Sequence, residues 1–120
     1  MSTDVRTVLV VDDDDSLRRM LKLTLRQRGF RVCCAVDGLK ALDELERCSP
    51  DVIVLDMQMP VMDGRTFYRR LRDRGCETPV LVLSADGAAA AARELGAEGY
   101  LAKPFDPDVL MAKLTMLSDS

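Results

Sequence analysis

In residues 51–64, DVIVLDMQMPVMDG, the aliphatic run Val52–Leu55 continues without a polar break and stops at Asp56. An uninterrupted run of this length is the pattern of a strand buried on both faces, as in a parallel sheet, rather than of a strand with one face in water. The same arrangement recurs three times. VLVV at 8–11 precedes Asp12 and Asp13, VLVL precedes Ser84, and GYLA at 99–102 precedes Lys103. The carboxyl ends of parallel strands share one edge, and open α/β sheets bind ligands in the crevice outside it. Three carboxylates, one hydroxyl and one ammonium are therefore expected to converge there.

The segments between these strands carry helical spacing. Leu17, Met20, Leu21, Thr24 and Leu25 mark a helix over 16–28, stopped at Gly29. Phe30–Val36 reads as a second strand. Leu39, Leu42 and Leu45 mark a second helix ending near Ser49 and Pro50. After the strand Val52–Leu55 come a helix over Gly64–Arg74, a strand over Pro79–Leu83, an alanine-rich helix over Ala88–Leu95, a short strand at Gly99–Leu101 and a helix over Pro107–Leu117. Strict alternation implies an α/β domain with a parallel sheet, right-handed crossovers and helices on both faces. Periodicity leaves the strand order open.

Composition narrows the function classes. A chain of 120 residues with 48% hydrophobic residues suits one domain with a real core. The net charge of -3 and the lack of a basic stripe argue against direct nucleic-acid binding as the main task. The longest apolar runs are strand-sized, short of a membrane span, and the opening MSTDVRT lacks the apolar core of a secretory signal, so a cytoplasmic protein is expected. Cys33, Cys34, Cys48 and Cys76 show no C-x-x-C spacing, and there is no histidine to complete a zinc site. All four are expected to be reduced thiols, with Cys33 and Cys34 facing opposite ways on their strand.

Asp12, Asp13 and Asp56 brought together would repel and raise at least one carboxyl pKa unless a dication lay among them. Oxygen donors without histidine suit a hard cation such as Mg2+. A dication and a lysine beside a carboxylate are also what phosphoryl transfer requires, with Asp56 as nucleophile and Lys103 and Ser84 on the phosphoryl oxygens. Asp14 and Asp15 read instead as helix-capping charge.

Together, VLVVDDDDSLRRML, DVIVLDMQMPVMDG, PVLVLSAD and GYLAKPF resemble the receiver domain of bacterial two-component response regulators, over about Thr7 to Leu117. The resemblance implies a flavodoxin-like, doubly wound sheet of five parallel strands in the order 2-1-3-4-5 with five helices. It implies that Asp56 is the phosphoacceptor, that Asp12 and Asp13 are the acidic pair helping to bind Mg2+, and that Gln58 offers a backbone carbonyl to the metal. Asp13 would touch the metal and Asp12 act mainly through water. Ser84 matches the family's hydroxyl, Lys103 its phosphate-contacting lysine, and Pro104 a position where the family often has a cis peptide bond. Tyr100 matches an aromatic that swings inward when Ser84 moves toward the phosphate. Gln58 and Asp86 flank the path of water to an acyl phosphate and are expected to tune its lifetime.

The resemblance also implies a partner: a sensor histidine kinase or a histidine phosphotransferase supplies the phosphoryl group, and a downstream protein reads the changed surface. With no histidine, the chain itself is neither of those donors. Residues 1–120 are expected to form a single receiver domain with no output domain, a regulator rather than an enzyme, with no membrane contact. The rival reading is a phosphate-independent interaction module. A dehalogenase-type phosphatase would carry its nucleophile in a DxD after the first strand, and a flavin-binding flavodoxin would not place DDDDS where a phosphate must sit. The spacing from Ser84 to Lys103 is about one helical turn shorter than in the commonest receivers, so a short, weakly amphipathic fourth helix is expected.

Overall fold

The computed structural model describes residues 5–119, so the start of the opening segment discussed above lies outside the described residues. The elements are β1 (Thr7–Val11), α1 (Asp15–Gln27), β2 (Arg31–Ala35), α2 (Gly38–Cys48), β3 (Val52–Asp56), α3 (Gly64–Asp73), β4 (Val80–Ser84), α4 (Ala88–Leu95), β5 (Gly99–Ala102) and α5 (Pro107–Ser118). The five strands are parallel and ordered β2-β1-β3-β4-β5. Every predicted element is present. Most bounds move by a residue, and two shifts bear on the site: Asp56 and Ser84 are the last residues of β3 and β4 rather than the first beyond them.

The unbroken aliphatic runs are explained by the two-sided core. Leu9, Val11, Ile53, Leu55, Val80 and Val82 face α2, α3 and α4. Val8, Val10, Val52, Val54, Leu81 and Leu83 face α1 and α5. All twelve are fully buried, which leaves no position on the three central strands for a polar side chain until the strand ends. The sequence order reverses beside β1, so the carboxyl ends of β1 and β3 flank the crevice where such sheets bind ligands.

Four of the five helices begin on an aspartate that caps them. Asp14, Asp37, Asp63 and Asp106 each accept a backbone N–H from the first turn, satisfying donors that otherwise have no partner. Asp14 thus takes the capping role expected of it, and Asp15 pairs with Arg18 one turn on. The exception is α4. It starts after Gly87 and ends at Gly96, both at positive φ, and no side chain caps it.

The cysteine expectation is overturned. Cys33 and Cys48 form a disulfide, with their Cα atoms 6.3 Å apart, and Cys34 and Cys76 are free. The β2–α2 crossover lays the last turn of α2 over the middle of β2, a juxtaposition that spacing along the chain does not reveal. Cys33 packs toward α2 and Cys34 toward α1, so they do face opposite ways.

Between β3 and α3 the backbone doubles back on itself. The Met62 N–H donates to the Pro60 carbonyl 2.7 Å away, closing a three-residue turn about Val61, whose φ is 67°. A β-branched residue in that region is strained. Gly64 then enters α3 directly beneath the end of β3. A Cβ on Gly64 would stand 2.7 Å from the Asp56 carbonyl oxygen and 2.8 Å from the Met57 Cα, both backbone atoms that cannot rotate away. Gly64→Ala is accordingly expected to cost about 1–3 kcal/mol through overpacking. A thermal melt followed by circular dichroism checks this, and a melting temperature equal to that of the unmodified chain would contradict it.

Candidate functional site

Three carboxylates meet at the carboxyl edge of the sheet. Asp12 and Asp13 follow β1 and Asp56 ends β3, and one oxygen of each lies within 4.8 Å of the others. Asp12 is fully buried and Asp56 only 5% exposed, whereas Asp13 faces solvent. Lys103, following β5, reaches across. Its Nζ donates to Asp12 Oδ2 at 2.9 Å and stands 3.6 Å from Asp56 Oδ1. The Lys103 N–H also donates to the Ser84 carbonyl, which ties the base of the lysine to the end of β4. The Lys103–Pro104 peptide is cis, as expected.

The electrostatics follow from this packing. Burial pushes the Asp56 carboxyl up to about 6, and the Asp12 charge adds to the rise, as does Asp13 to a lesser degree. The Gln58 N–H, donating to Asp56 Oδ1 at 3.2 Å, and the Lys103 ammonium work the other way without cancelling it. For Lys103, burial disfavours the ammonium, but the hydrogen bond and charge of Asp12 and the charge of Asp56 outweigh it and leave the pKa raised. Excess negative charge therefore remains inside the cluster. The donor set is all oxygen, mutually close and free of histidine and thiolate, which fits a hard dication such as Mg2+.

Ser84 sits at the end of β4, 2% exposed, with its hydroxyl donating to the Asp86 carbonyl at 2.6 Å. In this state its proton points along its own turn. Tyr100 lies on β5 with its ring turned outward, 47% exposed, and the Lys113 ammonium of α5 stands 5.7 Å from the ring centroid. The structure thus gathers Asp12, Asp13, Asp56 and Lys103 into one contact group. Gln58 enters through its main chain, Ser84 borders the group, and Tyr100 stands apart from it on the outer edge of the sheet.

Two features of the site were not legible beforehand. Arg18 donates to the Asp12 main-chain carbonyl at 2.6 Å and pairs with Asp15, so α1 grips the loop that carries the acidic pair. Its spacing from Asp14 and Asp15 was the available signal. Lys113 over Tyr100 gave none, because only tertiary packing of α5 on β5 joins them.

Comparison with known proteins agrees with the fold. Residues 8–115 match the family described as response regulator receiver domain. This chain belongs to that family. Receiver domains serve phosphorylation-dependent signalling in two-component systems, generally with Mg2+ at their acidic pocket and a histidine kinase as partner. The receiver is 41% identical over 113 residues to the response regulator MprA of Mycobacterium tuberculosis, covering 92% of this chain and 49% of that protein. It spans about half the length of the curated relatives it matches. Among solved structures it resembles the chemotaxis protein CheY4 of Vibrio cholerae, with a TM-score of 0.86, 35% identity and coverage of 95% of this chain and 99% of that one. The Francisella response regulator 1452 receiver domain gives a TM-score of 0.88 at 34% identity, covering 95% and 97%. No helix among the described residues is long and apolar enough to cross a membrane.

The raised Asp56 pKa has a consequence for stability. Between about pH 4, where an unfolded aspartate titrates, and about pH 6, the native receiver holds a proton that the unfolded chain has lost, so stability falls as pH rises through that window. Asp56→Asn removes the penalty. Without added magnesium, the variant should be more stable than the unmodified receiver by about 1–3 kcal/mol near neutral pH, the difference closing as pH falls toward about 4. Denaturant titrations at several pH values measure it, and a variant less stable at neutral pH would count against the account.

Proposed function

We propose that Asp56 is the phosphoacceptor of this receiver and that Asp12, Asp13 and the Gln58 main-chain carbonyl complete a Mg2+ site beside it. The observation that carries the reading is the Lys103 ammonium lodged between the buried Asp12 and Asp56 carboxylates, 2.9 and 3.6 Å from them. That placement holds positive charge where phosphoryl oxygens would arrive. Mg2+, when bound by these oxygens, supplies further positive charge against the same oxygens and relieves the carboxylate repulsion.

The residues divide the work as follows. An Asp56 carboxylate oxygen forms the new bond to phosphorus as the phosphorus–nitrogen bond of a donor phosphohistidine breaks, and the electron pair returns to the imidazole, which takes a proton from water. Lys103 shifts its hydrogen bond from Asp12 to a phosphoryl oxygen. Ser84 turns its hydroxyl from the Asp86 carbonyl to another phosphoryl oxygen. The space Ser84 leaves is taken by Tyr100 swinging inward from its exposed position, which alters the surface around α4, β5 and α5. The donor is a sensor histidine kinase or a histidine phosphotransferase, and the reader is a downstream protein, in the cytoplasm and without direct contact to nucleic acid or membrane. The chain acts as a regulator whose chemistry is confined to accepting and slowly losing one phosphoryl group.

Intact mass after incubation with acetyl phosphate and magnesium tests the assignment. The expected result is an adduct of roughly 80 mass units that requires magnesium and is absent from Asp56→Asn. An adduct persisting in that variant would place the acceptor elsewhere, and no adduct in folded protein would favour an interaction module independent of phosphate. For lifetime, Gln58→Ala and Asp86→Ala are each expected to change the decay rate of the adduct, followed by mass spectrometry after removal of the donor. Unaltered decay in both would remove these side chains from the hydrolysis path.

A further inference from the structure

The Cys33–Cys48 disulfide joins two elements that separately support the site. On one side, β2 accepts the Asp12 N–H at its Ala35 carbonyl, 3.1 Å away, so the strand fixes the loop of the acidic pair. On the other, α2 begins at Gly38, whose N–H donates to the Met62 carbonyl at 3.3 Å, in the loop that runs from Asp56 to α3. That contact is tight, since a Cβ on Gly38 would stand 2.9 Å from the Met62 carbonyl oxygen and Cγ. A bond between β2 and α2 therefore fixes one loop of the carboxylate cluster relative to the other.

Neither element needs the bond to stay in place. β2 is in register with β1 over five residue pairs, and α2 keeps Asp37 as its cap, Ala41 and Leu42 in the core, and the Leu42 carbonyl bonded by Arg74. A reduced chain would keep both thiols adjacent, ready to reconnect. No third cysteine competes, because Cys34 packs on the opposite face of the sheet and the Cys76 sulfur lies 3.2 Å from the Thr78 hydroxyl in the α3–β4 loop. Cys33 is the more accessible partner, since Cys48 is only 9% exposed.

We propose that Cys33 and Cys48 are a reversible redox modification site, exchanged with low-molecular-weight thiols and disulfides, whose oxidation stiffens the β2–α2 frame carrying the Asp12 and Met62 loops. In the oxidising direction the Cys33 thiolate attacks one sulfur of a small disulfide such as glutathione disulfide. A mixed disulfide forms and one thiolate leaves. The Cys48 thiolate then attacks Cys33 sulfur and expels the second thiolate. Two protein thiols lose two electrons to the small disulfide, and their two protons end on the two released thiols. Reduction is the reverse exchange.

The inference goes beyond the phosphoacceptor reading and is tested without phosphoryl transfer. The full chain is equilibrated in glutathione buffers from reducing to oxidising. Free thiols are counted by maleimide mass tagging in denaturant, and amide hydrogen exchange is followed in each state. The expected result is reversible conversion between four and two tagged cysteines. Closing a 15-residue loop should make the oxidised state more stable by on the order of 100-fold in the unfolding constant. Exchange in β2, α2 and around Asp12 and Met62 should speed up on reduction while β5 and α5 change little. A Cys33→Ser/Cys48→Ser double variant, with two tags throughout, should show the amide exchange of the reduced state in every buffer. Four tags under excess glutathione disulfide, two that persist in excess dithiol, loss of the fold on reduction, or identical exchange in both states would each overturn the proposal.

Discussion

The arrangement turns on one buried ion pair. Asp12 has no solvent contact, and an isolated carboxylate in that position would be strongly disfavoured. The Lys103 ammonium makes it tolerable, and to do so it must cross from the end of β5 over the ends of β3 and β4. Asp56 lies beneath that crossing and Asp13 at its rim. One lysine thus offsets part of three negative charges, and the remainder adds to the rise that burial already imposes on the Asp56 pKa. The pair is therefore a compromise, adequate for the fold and poorly matched to the charge present, and it favours arrival of more positive charge.

The sheet makes this compromise possible by leaving no alternative place for the polar groups. Twelve side chains of β1, β3 and β4 are fully buried on the two faces, so polar residues appear only at the strand ends. Gly64 and the strained turn at Val61 then bring the chain back under the end of β3 within a few residues. The lack of space for a Cβ at one and backbone strain at the other show how little room this return leaves.

Much of this could be read from the chain because the determinants are local. Unbroken aliphatic runs marked β1, β3 and β4, Asp14 and Asp15 marked the start of α1, and the residues after each run named the site, whereas the caps Asp37, Asp63 and Asp106 emerge only from the structure. The ends of β3 and β4 were misplaced by a residue because a ladder hydrogen bond, such as that from the Met57 N–H to the Leu83 carbonyl, depends on the neighbouring strand rather than on side-chain polarity. The disulfide was misjudged for the same kind of reason: Cys33 and Cys48 carry no spacing signal and meet only because a crossover helix returns over its strand. Lys113 likewise acts through a tertiary contact, on an aromatic face, whereas Arg18 reaches a main-chain carbonyl only six residues away.

The lack of a side-chain cap on α4 has a mechanical meaning. At one edge of the sheet, β2 is bonded covalently to a capped helix of eleven residues; at the other, four-residue β5 leans on an eight-residue alanine helix hinged by glycines at both ends. Local opening is easiest where buried contacts and fixed termini are fewest. A displacement starting at the central carboxylates meets a stiff margin on the β2 side and a compliant one on the β5 side. For a domain pushed from its centre, one margin would act as the clamp and the other as the free end of a lever.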